Sequence, residues 1–341
     1  MHNIRKIGLR LLLIVVVIGL YEAVIKYAYE PYNVTVHYST EDKKDMEGTI
    51  DTLFCGTSLF RSINLDMIDE ELDATTYIAI SSAQPTDGSY YTIVDTVEKN
   101  PVKTVFMSMS ADGLMKDAVA TKWKALVYDS LSPKNKMQYL FHGTKLDEWP
   151  YITLYSVRIE DYLAFSDVWE NITTKRTEEY AQGLTHTRLY QGRGRFGRKT
   201  SYDCKITGQL KKKESTFKTD ELWEHQEKYL KKIIDYCKKQ DIELIFVYTP
   251  FTRDKVNSYK NFEPIHDYFK ELAEKNQIPY WDFNYYKDLE NVFTEELFED
   301  EKHLNLQGGD VLAEKLLEVY ESYKNGEGVE QYFQNECPYY Q

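Results

Sequence analysis

Apolar residues follow two alternating patterns between residues 49 and 323 of this chain. Short runs rich in β-branched and aromatic residues predict five buried strands, at 49–56, 75–83, 102–110, 242–250 and 278–283. Apolar residues at helical spacing predict helices at 63–72, 90–98, 222–237, 265–272 and 310–323, the last with Asp310 as N-cap after Gly308 and Gly309. Strands separated by helices form parallel βαβ units. The pattern therefore predicts an α/β fold built on a doubly wound, five-stranded parallel sheet.

The alternation breaks between residues 113 and 219, where the chain is mainly helical and aromatic in character. This segment is expected to be an insertion between the third and fourth strands. Open α/β sheets bind ligands at the carboxyl ends of their strands, so the insertion is placed to cover such a site. Its stretch YQGRGRFGRKTSYD (190–203) indicates a basic loop. The glycines there follow no predicted strand and open no predicted helix, which argues against a dinucleotide-binding turn.

The N-terminus carries an apolar segment after Arg5, Lys6 and Arg10. The unbroken apolar run covers 11–21 and extends to 7–27 if three charged residues near the ends are allowed; a bilayer helix needs about 20 residues. A cleaved signal peptide is the alternative, but no convincing small-x-small cleavage site follows. We favour a retained anchor with a cytoplasmic N-terminus, because positive charge precedes the apolar run. The predicted organisation is an anchor with its cytoplasmic tip (1–28), a juxtamembrane linker (29–48), an extracellular α/β domain (49–325) and a C-terminal tail (326–341).

Charge and cysteine content exclude several classes of function. The chain has 42 basic and 55 acidic side chains, a net charge of −13, whereas nucleic-acid binding needs a basic surface. The four cysteines show no C-x-x-C spacing, and no histidine besides His303 lies in a D-x-x-H or H-x-x-x-H frame. No metal, cofactor or nucleic-acid partner is expected.

Two short motifs at opposite ends of the α/β pattern carry candidate chemistry. Ser58 follows the first strand, two residues after Gly56, where a tight turn leaves backbone N–H groups free to bind an oxyanion. His303 precedes the last helix, and Asp300 stands three residues before it. Loops after the first and last strands lie on the same edge of a doubly wound sheet. The expected roles are Ser58 as nucleophile, His303 as general base and then acid, and Asp300 as the group that orients the imidazole.

Each motif alone has a plainer interpretation. Ser58 could be only the N-cap of the helix after the first strand. Asp300 and His303 could belong to a surface turn, and the flanking Glu299 and Glu301 are expected to be solvated charges that raise the imidazole pKa.

G-x-S after the first strand, with D-x-x-H-L-N and a glycine pair before the last helix, resembles the SGNH (GDSL-like) hydrolase superfamily. The resemblance covers 49–111 and 220–325. The segment ISSAQPTDGSYYTIVDTVEKNPVKTVFMSMS (80–110) is similar to membrane-anchored members near the D-alanyl-lipoteichoic acid transfer protein and the alginate-type O-acetyltransferases. The resemblance implies a flavodoxin-like topology and a Ser58–His303–Asp300 triad.

Two positions depart from the family pattern. Ala83 stands where a glycine usually supplies the second oxyanion N–H, and Ala111 replaces the asparagine that usually supplies a third donor. The amide of Gln84 is a possible substitute donor. Loss of one such donor typically costs about 10²–10³ in rate.

Together, the residues and the resemblance imply an extracytoplasmic, membrane-anchored serine esterase or O-acyltransferase. The expected substrate is a cell-envelope glycan or a teichoic-type polymer, with a polysaccharide or polyol hydroxyl as acceptor and a membrane acyl-donor protein as a further candidate partner. The alternative is an SGNH-like scaffold of weak or no activity that binds an envelope polymer or a partner protein.

Overall fold

The computed structural model describes residues 2–29, 34–114, 121–159, 165–175, 177, 179, 188–199, 216–218 and 222–339. Its strands are β1 (Thr52–Gly56), β2 (Thr76–Ile80), β3 (Thr104–Ser108), β4 (Arg188–Gly192), β5 (Arg195–Arg198), β6 (Glu243–Tyr248) and β7 (Tyr280–Asp282). Five of them form one parallel sheet in the order β2–β1–β3–β6–β7. The predicted fold class and all five predicted strands of this sheet are confirmed.

Helices cover both faces of the sheet. In chain order the α-helices of the described residues are α1 (His2–Ala28), α2 (Val34–Asp45), α3 (Leu65–Leu72), α4 (Thr86–Val97), α5 (Thr121–Ser130), α6 (Pro133–Gly143), α7 (Trp149–Thr153), α8 (Tyr155–Arg158), α9 (Phe165–Thr173), α10 (Glu224–Lys239), α11 (Arg253–Asn257), α12 (Glu263–Asn276), α13 (Leu289–Val292) and α14 (Leu306–Asn325). Short 3-10 turns occupy Ser58–Phe60, Ala111–Gly113, Leu146–Glu148, Phe283–Tyr285 and Glu295–Leu297.

The central strands are buried on both sides, which explains their almost uniformly apolar sequences. Every residue of β1 and β3 is buried. Phe54 of β1 stacks on Phe106 of β3 with ring centroids 4.8 Å apart, and Trp281 of β7 continues this aromatic layer. Parallel pairing brings the carboxyl ends of β1, β3, β6 and β7 to one edge of the sheet.

The last helix starts four residues before the predicted N-cap, so the prediction of Asp310 as N-cap is wrong. Asn305 is the N-cap, and its side-chain oxygen accepts a hydrogen bond of 2.9 Å from the N–H of Gly308. The glycine pair lies in the first turn of α14, where it allows close packing. A Cβ on Gly308 would lie 2.1 Å from the carbonyl oxygen of Leu297, and one on Gly309 would lie 1.9 Å from that of Ser62.

Replacing Gly309 with alanine is therefore expected to destabilise the fold. The new methyl group has to displace backbone, so we expect the free energy of unfolding to fall by about 2–4 kcal/mol. Denaturant unfolding of the detergent-solubilised chain measures the change. Gly113→Ala is the matched control, because a Cβ there would have its nearest neighbours at 4.0 Å. Equal stabilities for the two variants would contradict the close approach.

The insertion contains α5 to α9 and an antiparallel hairpin of β4 and β5. The prediction of a basic loop at 190–203 is wrong for 190–198, because this part of the chain pairs with itself and docks on the sheet domain. The side chain of Arg193 bonds Asp66 and Asp69, and its carbonyl accepts from the N–H of Ile78 at 3.0 Å. Arg195 forms an ion pair of 2.6 Å with Asp310. Three arginines of the predicted basic loop therefore hold the hairpin on the domain; the third, Arg198, donates its backbone N–H to Glu299.

The N-terminal helix α1 contains one stretch, Arg5–Ala28, that is long and apolar enough to cross a membrane. The segment predicted as a linker, 29–48, contains α2, and this helix contacts the body. The carbonyl of Ser39 accepts from the Tyr77 hydroxyl at 2.6 Å, and Lys43 pairs with Asp95 at 2.9 Å.

Candidate active site

Ser58 lies at the carboxyl edge of the sheet, in a sharp turn after β1. Gly56 has φ of 118°, which favours glycine, and the N–H of Thr57 is held by the hydroxyl of Ser108 at 2.8 Å. Ser58 is the first residue of the 3-10 turn, whereas Thr57 occupies the N-cap position. The side chain of Ser58 is thus free of a capping role and can point along the edge of the sheet.

His303 and Asp300 complete a hydrogen-bonded chain with Ser58. The Ser58 Oγ lies 2.8 Å from His303 Nε2, although the two residues are 245 positions apart. On the other side of the ring, His303 Nδ1 lies 2.8 Å from Asp300 Oδ2. The structure therefore brings together the three residues that the sequence nominates, in the order hydroxyl, imidazole, carboxylate.

A closed turn explains how Asp300 contacts the imidazole of His303, only three residues later in the chain. The N–H of Glu299 donates to the carbonyl of His303 at 2.8 Å, so the chain folds back on itself between them. Within the turn, Asp300 Oδ1 accepts the backbone N–H groups of Lys302 and His303 at 3.0 and 2.9 Å. These bonds fix the carboxylate beside the imidazole. His303 is only 8% exposed, which rules out the interpretation as a solvated surface turn.

The pKa values of both groups are shifted toward the forms needed for base catalysis. Burial lowers the pKa of His303 to about 4; the hydrogen bond to Asp300 opposes this shift, and the positive charge of Arg61 adds to it. Burial alone would raise the pKa of Asp300, but the hydrogen bond and charge of His303, the Lys302 N–H and Arg61 together hold it well below its usual range. At neutral pH the imidazole is therefore neutral and the carboxylate ionised. The prediction that flanking acids raise the imidazole pKa is wrong.

Glu299 is not a solvated charge. Its side chain is 1% exposed and forms a buried ion pair with Arg61, and its second oxygen accepts the N–H of Arg198 at 3.0 Å. Arg61 also lies 3.6 Å from Asp300. Arg61 thus joins three segments beside the imidazole–carboxylate pair. These are the turn after β1, the 299–303 turn and, through Glu299, the β4–β5 hairpin.

A pocket of about 50 Å³ opens beside Ser58 and includes one of the two predicted oxyanion residues, Ala83. Ala83 has φ of 43°, the left-handed conformation that a glycine would adopt without strain. The backbone N–H groups of Ser58 and Ala83 have no hydrogen-bond partner among the described residues. Both are therefore available to a bound ligand.

The structure does not bring Gln84 into this pocket. Its amide nitrogen donates to Ser89 Oγ at 3.1 Å and contacts the Cys55 sulfur at 3.7 Å, and the residue is 3% exposed. The side chain is used to hold α4 against β1. Ala111 is buried in the core and does not line the pocket.

Sequence reasoning missed six residues that line the pocket: Thr57 and Leu59 beside Ser58, and Ser110, Gly113, Phe251 and Lys302. Ser110 and Phe251 follow β3 and β6 by two and three residues, so position at the carboxyl end of a strand was the available signal. Lys302 adjoins His303 in sequence. Among the described residues there is no cluster of three or more His, Cys, Asp or Glu side chains suited to a metal ion.

Comparison with known proteins gives weak matches. No protein-family model matches the chain, and no curated protein matches it. Among solved structures, the chain is similar to a protein of Bacteroides fragilis NCTC 9343 assigned as an acylhydrolase (9% identity, TM-score 0.39, covering 86% of this chain and 99% of that one). It is also similar to a GDSL-like lipase of Bacteroides thetaiotaomicron VPI-5482 (9%, 0.38, 86% and 100%) and to the acetyl xylan esterase AlAXEase (13%, 0.36, 79% and 98%). Similarity at this level carries no functional conclusion.

Proposed function

We propose that the protein is an SGNH-type serine esterase or O-acyltransferase with Ser58 as nucleophile. One observation carries this proposal: the 2.8 Å contact between Ser58 Oγ and His303 Nε2, with His303 Nδ1 held by an ionised Asp300. A serine hydroxyl is a weak nucleophile at neutral pH and needs an adjacent base that is itself oriented by a third group. The three residues meet that requirement.

The proposed reaction proceeds in two halves. Ser58 Oγ attacks the carbonyl carbon of an ester while His303 Nε2 takes the hydroxyl proton. The tetrahedral intermediate collapses, the alcohol leaves with the proton from His303, and the acyl group stays on Ser58. In the second half, His303 removes a proton from water or from an acceptor hydroxyl, which attacks the acyl-enzyme. Ser58 recovers its proton from His303, and a carboxylic acid or a new ester is released.

The N–H groups of Ser58 and Ala83 are the proposed oxyanion donors, because both face no competing acceptor in the described chain. Two preorganised backbone donors stabilise the developing negative charge without reorganising during the reaction. Ser110 also lines the pocket and carries a hydroxyl at the edge where the family places its asparagine. In this proposal Ser110, rather than Gln84, supplies the third donor.

The proposed setting is the outer face of a cell membrane, with α1 as a single anchor and a cytoplasmic N-terminus. The substrate class we propose is an O-acylated envelope glycan or teichoic-type polymer, with a short acyl group. The small volume of the pocket beside Ser58, about 50 Å³, supports a short acyl group. Lys302 at its rim would favour an anionic polymer.

Esterase activity is expected to persist to an unusually low pH. The neutral imidazole is the base, and burial lowers its pKa to about 4. kcat/KM on p-nitrophenyl acetate should therefore be half-maximal near pH 4 and flat from about pH 5.5, since one unit above a pKa leaves about a tenth of the base protonated. Stopped assays with purified full-length chain in detergent measure the profile.

Folding has to be followed in the same samples, because the same pKa shifts make the protein acid-labile. Between pH 6.5 and about 4 the unfolded chain protonates His303 while the folded chain does not, so stability falls as pH falls through this window. Asp300, with its lowered pKa, adds a further loss at still lower pH. A reversible limb near pH 6.5 in folded protein would contradict the buried neutral imidazole. No ester turnover at any pH would favour the scaffold alternative.

A further inference from the structure

The exposed apolar side chains of the body belong to one segment of the chain. Outside α1, the large hydrophobic residues that the described structure leaves exposed all belong to the insertion: Met137, Phe141, Leu146, Val157, Phe165 and Trp169. The helices that flank the sheet have none. A soluble surface scatters such residues singly, whereas a concentration marks a contact surface.

Helix α9 turns its apolar face outward. Phe165 and Trp169 lie one turn apart and are 66% and 71% exposed, whereas the neighbouring Val168 and Ile172 are half-buried. The other side chains of the helix up to residue 173 are polar: Ser166, Asp167, Glu170, Asn171 and Thr173. Among these, Asn171 is the buried one. A helix on a soluble domain buries its large apolar side chains; α9 leaves its two largest exposed and buries the polar Asn171.

Asn171 packs against the carboxyl-terminal part of α1. The Asn171 amide lies 3.4 Å from the carbonyl of Ala28. The preceding helix, α8, is also bound there: Lys26 donates to the Tyr155 hydroxyl at 2.6 Å, and Glu22 accepts from the N–H of Ser156 at 3.0 Å. The insertion therefore holds the last two turns of the helix that is long and apolar enough to cross a membrane.

The length of α1 that these contacts cover matches the depth of the interfacial layer of a bilayer. Glu22 and Ala28 are six residues apart, a rise of about 9 Å along a helix. The headgroup and upper acyl layer in which an amphipathic helix rests is about 5–10 Å deep. Tryptophan is favoured in that layer because its ring is apolar and carries one polar N–H, and phenylalanine is common on the apolar face of interfacial helices.

We propose that the outward face of α9, led by Phe165 and Trp169, rests in the interfacial layer of the bilayer beside the anchor α1. The insertion then makes a second contact with the membrane, the membrane seat. With two contacts, the body keeps one fixed orientation relative to the membrane surface. This inference depends on the proposed anchoring by α1 and is independent of the proposed triad.

Spin-label accessibility tests the seat in the full-length chain reconstituted into phosphatidylcholine–phosphatidylglycerol nanodiscs. Single labels are placed at Trp169→Cys and Phe165→Cys on the apolar face, at Asp167→Cys on the polar face of the same helix, and at Val15→Cys in α1. The background carries Cys204→Ser, and the buried Cys55, Cys237 and Cys337 are checked by labelling that background alone. Collision rates with oxygen and with a water-soluble nickel chelate report depth.

We expect high oxygen and low nickel accessibility at 165 and 169, with nickel collisions at least about threefold fewer than at 167. Nickel accessibility at 165 and 169 equal to that at 167, with the label at 15 deep in lipid, would overturn the seat and leave the anchor intact. Low accessibility to both reagents would also overturn it, because it would show a protein partner such as a second copy on this face. A nickel-accessible label at 15 would refute the anchor and the seat together.

Discussion

Ser58→Ala is expected to lower kcat/KM on p-nitrophenyl acetate at least about 10³-fold. The substitution removes the atom that forms the acyl-enzyme, and only ester binding and oxyanion stabilisation of attacking water remain. Among the described residues, the hydroxyl makes its single hydrogen bond with His303, so the variant should keep the wild-type fold. Initial rates and thermal unfolding of the same preparation measure both.

The matched control is Ser130→Ala, a serine in the insertion whose hydroxyl donates to the carbonyl of Val127. It removes the same atom from a place remote from the pocket, and activity should stay within about twofold of the wild type. If Ser58→Ala retains more than a tenth of the wild-type rate while folded, Ser58 is not the nucleophile.

Asp300→Asn is expected to lower kcat by about 10²–10⁴-fold and to leave KM nearly unchanged. The carboxylate now accepts from His303 Nδ1 and from two backbone N–H groups. An amide in its place can turn its NH₂ group toward Nδ1, which would move the ring proton to Nε2. His303 would then donate toward Ser58 and could no longer accept its proton.

Glu301→Gln provides the control for charge, because Glu301 lies in the same turn and has no hydrogen bond to the imidazole among the described contacts. Removing its charge should change kcat by less than about threefold. Equal losses in the two variants would indicate a general electrostatic effect of the acidic turn, and Asp300 would lose its specific role.

The parts of this structure that follow a local rule could be predicted from the sequence. The strands of the sheet are buried on both faces, so their apolar runs are unbroken and easily recognised. The candidate triad could be nominated because Ser58 directly follows the first strand, while Asp300 and His303 lie in the connection between the last strand and the last helix, at the same edge of the sheet. Topology thus brings Ser58 and His303 to the same edge across 245 positions, and the 299–303 turn sets the contact between them.

The parts that depend on long-range packing could not be predicted. The buried ion pair of Arg61 and Glu299 looks like ordinary surface charge in the sequence, since nothing local shows that the β4–β5 hairpin will cover it. The start of α14 was misplaced because the glycine pair serves close contact with Ser62 and Leu297 instead of marking a helix boundary. Gln84 has the right chemistry for an oxyanion donor, but its amide is used by Ser89.

The most direct measurement of the central claim is the site of covalent labelling by a fluorophosphonate, read by peptide mass spectrometry on the full-length chain. The account predicts one adduct per chain, on Ser58, with labelling lost in Ser58→Ala and strongly slowed in Asp300→Asn. A folded wild-type chain that stays unlabelled beside a reactive control hydrolase, or an adduct on another serine that persists in Ser58→Ala, would contradict it.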